Sequence, residues 1–131
     1  MGRVYTSLAL NNPREPELKT IEVKALVDME SPHLCIPEHI VIQLRLEAMY
    51  EREVTIADGS KKICSYVGPI QIRFDGRGCF TGALVLGDQV LLGAVPMEDM
   101  DLVISPLTRT VEVNPESPNI PHAIVKGTLI S

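Results

Sequence analysis

The sequence predicts a small all-β domain with a barrel-like fold and one or two short helices. Apolar and polar residues alternate in segments 20–27 and 69–74, which is the period of a half-buried strand. Turn sequences that are typical of hairpins separate several of these segments. Ten prolines and nine glycines in 131 residues favour many turns over long helices.

Eight strands are predicted in chain order. They cover residues 4–10, 20–27, 51–57, 61–67, 69–74, 79–86, 101–104 and 109–113. The turn Asp58-Gly59 joins the third strand to the fourth, and Asp75-Gly76-Arg77-Gly78 joins the fifth to the sixth. A weaker hairpin turn lies at 105–108. Tightly spaced strands of this kind are typical of a small barrel.

Helix is predicted in only two places. Pro37 suits the first helical position, and apolar residues that include Ile40 and Leu44 follow at helical spacing, which predicts a helix over about 37–48. A single helical turn is predicted at 96–100. We expect one domain over residues 1–115, followed by a proline-containing tail, residues 116–131, that is extended or poorly ordered.

Composition excludes several classes of function. The chain is 45% hydrophobic, which is enough for a core, and its net charge of −5 comes without the basic stripe that nucleic-acid binding needs. No apolar run is long enough to cross a bilayer, and the first residues do not resemble a secretory leader. Cys35, Cys64 and Cys79 have no paired spacing, which indicates free thiols in the cytoplasm.

One aspartate stands out as a candidate functional residue. Asp28 directly follows the apolar strand that contains Ala25-Leu26-Val27, so its carboxylate is held on a rigid element at the edge of the core. An aspartate in this position is also a common way to end a strand and begin a turn. Taken alone, this segment therefore leaves a catalytic and a purely structural role open.

Three segments in this order resemble the retropepsin-like aspartic peptidases, and most of all their bacterial single-domain branch. Asp28-Met29-Glu30-Ser31 with Leu34-Cys35-Ile36-Pro37 is similar to the active-site segment of that family. Ala57-Asp58-Gly59 resembles the flap region, and Leu91-Leu92-Gly93 resembles the apolar-apolar-glycine element that precedes a short helix. The resemblance extends over about residues 3–115 and implies a closed barrel of the retropepsin type.

The resemblance also implies a mechanism. Peptidases of this family act as homodimers in which each subunit contributes one aspartate, here Asp28. Two neighbouring carboxylates share one proton, so that one activates a water molecule and the other polarises the scissile carbonyl. The hairpin around Ala57-Asp58-Gly59 would close as a flap over an extended peptide. The resemblance implies no cofactor and no metal, and neither a nucleic acid nor a membrane as partner.

The motif departs from the family at two positions. Met29 stands where the family has threonine or serine, and it carries no hydroxyl to brace the two active-site loops across the dimer. Glu30 stands where the family has glycine and adds a negative charge near the aspartate pair. Three hypotheses follow: an aspartic endopeptidase that uses Asp28, a non-catalytic module that binds peptides or a protein, and a metal site formed by Asp28 and Glu30 at the dimer interface.

Overall fold

Seven strands form one sheet in the computed structural model, which describes residues 2–127, and six of them close into a barrel. The sheet strands are β1 (Tyr5–Asn11), β2 (Ile21–Asp28), β3 (Leu34–Ile36), β4 (Glu47–Thr55), β5 (Lys61–Phe74), β6 (Arg77–Val85) and β7 (Val90–Gly93). Their order is β1-β2-β7-β3-β6-β5-β4, and β1 also pairs with β5 to close the barrel. The predicted all-β closed barrel is confirmed.

Two short helices and a separate hairpin complete the described chain. The helices are α1 (Glu38–Gln43) and α2 (Ala94–Asp99), and the hairpin consists of β8 (Leu102–Ile104) and β9 (Val111–Val113). None of the helices within residues 2–127 is long and apolar enough to span a membrane. Helix α2 follows β7 without a break, so it begins two residues earlier than the predicted turn at 96–100.

The barrel interior is aliphatic, as the scarcity of aromatic residues requires. In β2, Glu22 and Lys24 are exposed while Ala25 is fully buried, which matches the alternation seen in the sequence. The largest fully buried side chains come from strands β1, β3, β5 and β7, from α2, and from the residues that end the two helices: Leu8, Leu10, Leu34, Ile36, Leu44, Ile70, Ile72, Leu92, Met97 and Met100. Burial of this apolar surface is the main stabilising contribution to the fold.

The predicted helix over 37–48 is too long. It ends at Gln43, because Arg45 adopts a left-handed conformation with φ of 51° and β4 begins at Glu47. The amide of Asn12 donates a hydrogen bond of 2.8 Å to the carbonyl oxygen of Leu44 and one of 3.4 Å to that of Arg45. A side chain 32 residues earlier in the chain thus satisfies the carbonyl groups of the two residues that follow the helix.

The two predicted strands over 61–67 and 69–74 are one continuous strand, β5. Its register with β6 shifts between Val67 and Ile70, at a β-bulge that contains Gly68 and Pro69. A bulge bends and twists a strand without ending it. Strand β5 therefore belongs to the barrel at its carboxyl end and leaves it at its amino end, where it pairs only with β4.

Two strands, β3 and β7, are missing from the prediction. Both are only three or four residues long and are almost wholly buried, so they show no alternation of apolar and polar residues. The other predicted strands are present with ends that differ by up to four residues. Strand β7 lies beside β2 in parallel, and β3 lies beside β6 in parallel. These parallel pairs bring distant parts of the chain to one end of the barrel.

Residues after β9 contact the barrel through two side chains. Arg77, only 5% exposed, donates a hydrogen bond of 3.0 Å to the carbonyl oxygen of Met100 and another to that of Ser117. The carboxylate of Asp101 accepts hydrogen bonds from the Asn114 amide at 3.0 Å and from the backbone of residue 122 at 2.9 Å. The end of the predicted tail, residues 128–131, lies outside the described residues.

Candidate active site

The active-site segment and the apolar-apolar-glycine element lie side by side. Asp28 is the last residue of β2, and the parallel register with β7 places it opposite Gly93, the last residue of that strand. Asp28 is half-buried. The pairing of Leu91 with Leu26 and of Leu92 with Val27 holds the two strand ends at the same level. The carboxylate therefore extends from a rigid, paired strand rather than from a loop.

Two hydrogen bonds orient the carboxylate of Asp28. The backbone amide of Glu30 donates to Oδ1 at 3.1 Å, and the hydroxyl of Ser31 donates to Oδ2 at 2.7 Å. The backbone amide of Ser31 also donates to the carbonyl oxygen of Asp28 at 3.2 Å. Both carboxylate oxygens are thus held by the residues that follow Asp28, and the tight turn over 28–31 is maintained by the same contacts.

The loop after Asp28 rests directly on Gly93. The carbonyl oxygen of Ser31 accepts a hydrogen bond of 2.8 Å from Ala94, and that of Pro32 accepts one of 3.0 Å from Val95. A β-carbon at position 93 would stand 2.6 Å from the Ser31 oxygen and from the Pro32 carbonyl carbon. Only glycine allows this approach, so the apolar-apolar-glycine element supports the loop that follows Asp28.

The two unusual motif residues are open to solvent. The side chain of Met29 is 49% exposed, and Glu30 is exposed as well. Met29 lines a surface cavity together with Ala94, the exposed Val95 and part of the segment 114–124. Neither Met29 nor Glu30 uses its side chain to bind Asp28, since the contact from Glu30 is made by its backbone.

Cys35 lies close to this site and is not a nucleophile. Burial, with smaller contributions from the neighbouring Cys64 and Asp28, raises the pKa of the Cys35 thiol to about 11. The thiol is therefore protonated at neutral pH, which agrees with a core cysteine and not with a reactive one.

The second motif segment lies at the tip of a projecting hairpin. Strands β4 and β5 form this hairpin, and β5 pairs with β6 only from Tyr66 onwards. At the tip, the backbone amide and the hydroxyl of Ser60 donate to Oδ1 of Asp58 at 2.8 and 2.6 Å, and these bonds lower the pKa of Asp58. Gly59 has φ of 88°. Ala57 precedes this turn, and no hydrogen bond within residues 2–127 joins the tip to Asp28.

The hairpin carries a cluster of aromatic and cationic side chains that the sequence analysis did not predict. The guanidinium of Arg52 lies 4.5 Å from the ring centre of Tyr66 and 5.6 Å from that of Tyr50. The ring of His33, in the loop after Asp28, meets Tyr66 edge-on at 6.2 Å between centres. The sequence did carry a signal for this cluster, because Tyr50 and Arg52 occupy alternate positions of one strand and therefore lie on one face.

Tyr66 packs against a glycine on the neighbouring strand. A β-carbon at Gly82 of β6 would stand 2.5 Å from Cε2 of the tyrosine ring. The phenol end of the ring therefore rests directly on the backbone of β6, which fixes the position of the cluster relative to the barrel.

Within one described chain, residues 2–127, no group of three or more histidine, cysteine, aspartate or glutamate side chains could hold a metal ion. The hypothesis of a metal site formed by Asp28 and Glu30 therefore depends on carboxylates from two chains. Oxygen ligands of that kind would suit a hard cation.

Comparison with solved structures supports the fold. The chain is similar to the retroviral protease-like domain of Ddi1 from Leishmania major, with 12% identity, a TM-score of 0.59, and coverage of 92% of this chain and 94% of that one. It is also similar to the EIAV protease solved with the inhibitor HBY-793, with 17% identity, a TM-score of 0.57, and coverage of 75% and 88%. No protein-family model and no curated protein sequence matches the chain. The chain has a retropepsin-like fold.

Proposed function

We propose that this protein is an aspartic endopeptidase of the retropepsin type that acts as a homodimer. The observation that carries the proposal is the placement of Asp28 at the end of a paired strand, with both carboxylate oxygens held by neighbouring donors, in a retropepsin-like barrel. A carboxylate oriented in this way suits general acid–base chemistry, which requires a fixed geometry.

The proposed mechanism requires a second copy of the chain. Asp28 is the only aspartate that the chain provides in such a segment, and a twofold axis would bring it opposite the Asp28 of another subunit. Two carboxylates at hydrogen-bonding distance share one proton. The ionised carboxylate takes a proton from water as the water attacks the peptide carbonyl, and the protonated carboxyl polarises that carbonyl oxygen.

In this proposal the β4–β5 hairpin is the flap and the substrate is an extended peptide or an unstructured protein. The hairpin extends beyond the barrel and carries Ala57-Asp58-Gly59 at its tip, so it is free to close over a bound chain. An extended peptide held beneath it could form backbone hydrogen bonds in the manner of an added strand.

The proposal places the protein in a reducing cytoplasm. Three cysteines, Cys35, Cys64 and Cys79, are buried and free, which supports such a compartment. Membership of the bacterial single-domain branch belongs to the same proposal and is supported by the order of the three motif segments.

The test is cleavage of an unstructured protein such as casein by the full chain at mildly acidic pH. We expect Asp28→Asn to reduce cleavage by about 10²–10⁴-fold, which is the usual contribution of a general acid–base group. Asp88→Asn, the same chemical change in the exposed loop between β6 and β7, is the matched control and should cleave normally. Sedimentation at the assay concentration should show a dimer. Undiminished cleavage by Asp28→Asn, or an active monomer, would overturn the proposal.

A second candidate is a non-catalytic module that binds peptides with the same groove. The exposed Met29 and Glu30 favour it, because neither offers the small or hydroxyl-bearing side chain on which the family's dimeric active site depends. Under this hypothesis the wild-type protein binds unstructured peptides with measurable affinity and leaves them intact after prolonged incubation. Cleavage that depends on Asp28 would exclude it.

A further inference from the structure

The hairpin has two chemically different faces. Paired residues on neighbouring strands point to the same side, so Arg52 shares a face with Cys64, and Tyr50 shares it with Tyr66. Lys62 lies two residues before Cys64 and therefore on the same side. We name these five residues the inner face. The opposite face carries Glu51, Glu53, Lys61 and Ile63.

The inner face is directed towards the loop that follows Asp28. Cys64, one of its members, is only 4% exposed. Tyr66 contacts the ring of His33 in the loop that follows Asp28. A peptide bound between the hairpin and Asp28 would therefore lie against the inner face.

Arg52 is the side chain on this face that is best prepared to bind an anion. Its guanidinium lies over Tyr66, whose ring is held in place by Gly82. Within residues 2–127 Arg52 forms no ion pair, so its N–H groups are available to a ligand. The contact with the ring uses none of the guanidinium N–H groups as hydrogen-bond donors to an oxygen, and these groups match a carboxylate with two parallel hydrogen bonds.

We propose that Arg52 forms a subsite for a carboxylate side chain of the bound peptide, with Lys62 adding positive charge on the same face. The inference rests on the proposed function, since it names the substrate class of that same site: extended peptides with an acidic residue near the position that faces Asp28. In a symmetric dimer each hairpin would supply one such subsite, one on either side of the scissile bond.

Electrostatics within the site supports this assignment. Asp28 and Glu30 repel an acidic side chain, so an acidic peptide is accepted only where a cation lies within reach. Arg52 and Lys62 supply that charge on the inner face of the hairpin.

The test is peptide binding to the Asp28→Asn protein, which keeps the peptide intact. Two peptides with blocked termini, identical except for one glutamate replaced by glutamine, are compared by fluorescence anisotropy, with the position of the replacement scanned along the peptide. We expect the glutamate peptide to bind about tenfold more tightly at one position, as a charge-assisted hydrogen bond would provide. Arg52→Gln should abolish this preference.

The matched control is Lys61→Gln, which removes one positive charge from the opposite face of the same hairpin. It should leave the preference intact, whereas Arg52→Lys should retain only part of it because the second hydrogen bond is lost. Arg52 is exposed, and an unchanged unfolding midpoint for Arg52→Gln establishes that the variant is folded. A glutamine peptide with a free terminal carboxylate separates recognition of a side chain from recognition of a chain end.

Equal binding of the glutamate and glutamine peptides at every position, or an unchanged preference in Arg52→Gln, would overturn the inference. Failure to bind either peptide would also overturn it. A preference that depends on Arg52 in a protein whose wild type cleaves nothing would support the subsite and contradict the peptidase. Cleavage that depends on Asp28 and shows no acidic preference would support the peptidase and contradict the subsite.

Discussion

A β-carbon at Gly93 would stand 2.6 Å from the carbonyl oxygen of Ser31, far inside van der Waals contact. This relationship joins two segments that lie about 60 residues apart and that the sequence presents as separate motifs. The same Ser31 donates its hydroxyl to Asp28, so the orientation of the candidate catalytic carboxylate depends on how closely the loop rests on β7. The glycine is therefore required by the geometry of the site rather than by a turn.

Gly93→Ala should destabilise the protein and displace the loop after Asp28. The new methyl group meets backbone atoms of Ser31 and Pro32, which cannot rotate away, and overpacking of this kind costs about 1–3 kcal/mol or more. Urea unfolding measures the change in free energy. Gly127→Ala is the control, because a β-carbon there meets nothing within 4 Å. Equal stability of the Gly93→Ala variant and the wild type would contradict the tight packing described above.

The double replacement Met29→Thr with Glu30→Gly should raise the cleavage rate of the proposed peptidase. It restores a hydroxyl that can brace the two active-site loops and removes two carboxylates from the dimer axis. Like charges repel, so in the proposed homodimer this removal should weaken the repulsion around the Asp28 pair. Steady-state kinetics on casein, compared with the wild type, provides the measurement. A stable dimer with no gain in activity would show that these residues do not limit catalysis.

Arg77→Met should loosen the segment that follows β9. Arg77 donates to the carbonyl oxygens of Met100 and Ser117, and its removal leaves one buried and one part-buried acceptor without this partner, at a cost of about 1–3 kcal/mol. We expect faster proteinase K cleavage within residues 117–127, located by mass spectrometry. The Arg77→Lys variant should be cleaved at a rate between those of the wild type and Arg77→Met. Lysine keeps the charge, but it lacks the planar guanidinium that reaches both carbonyl groups. Unchanged proteolysis would show that Arg77 does not hold this segment.

The stability of the protein should depend on pH through Asp101. Hydrogen bonds from the Asn114 side chain and the backbone of residue 122 lower the pKa of Asp101 in the folded state. Its unfolded value is about 3.9, so its stabilising contribution is complete above about pH 5 and is lost as the pH falls through the lower, folded value. Asp101→Asn should therefore reduce the unfolding free energy more at pH 7 than at pH 3.

Asn114→Ala provides the complementary measurement for Asp101. It removes the donor that contributes most to the lowered pKa while leaving the carboxyl in place. Urea midpoints recorded between pH 3 and pH 7 should then vary less with pH than those of the wild type. A pH dependence identical to that of the wild type in both variants would contradict the role assigned to Asp101.

Features that depend on neighbouring residues in the chain were predictable. The strand that ends at Asp28 shows its alternation within eight residues, and the turns at Asp58-Gly59 and Asp75-Gly76 carry residues that tolerate positive φ. The sequence also placed the candidate carboxylate at a strand end. In each case the signal is local, because side-chain alternation and turn preference arise from the backbone geometry of a few consecutive residues.

Features that depend on distant partners were decided by the tertiary structure. Strands β3 and β7 are almost wholly buried and show no alternation. Helix α1 ends just before the carbonyl groups that the Asn12 side chain binds, and β5 continues through its bulge because β6 pairs with both halves. The contact between Gly93 and Ser31 forms only once the register of the strands is set. The same is true of the inner face of the hairpin. Register is a relation between segments that can lie more than 60 residues apart, which no local pattern can specify.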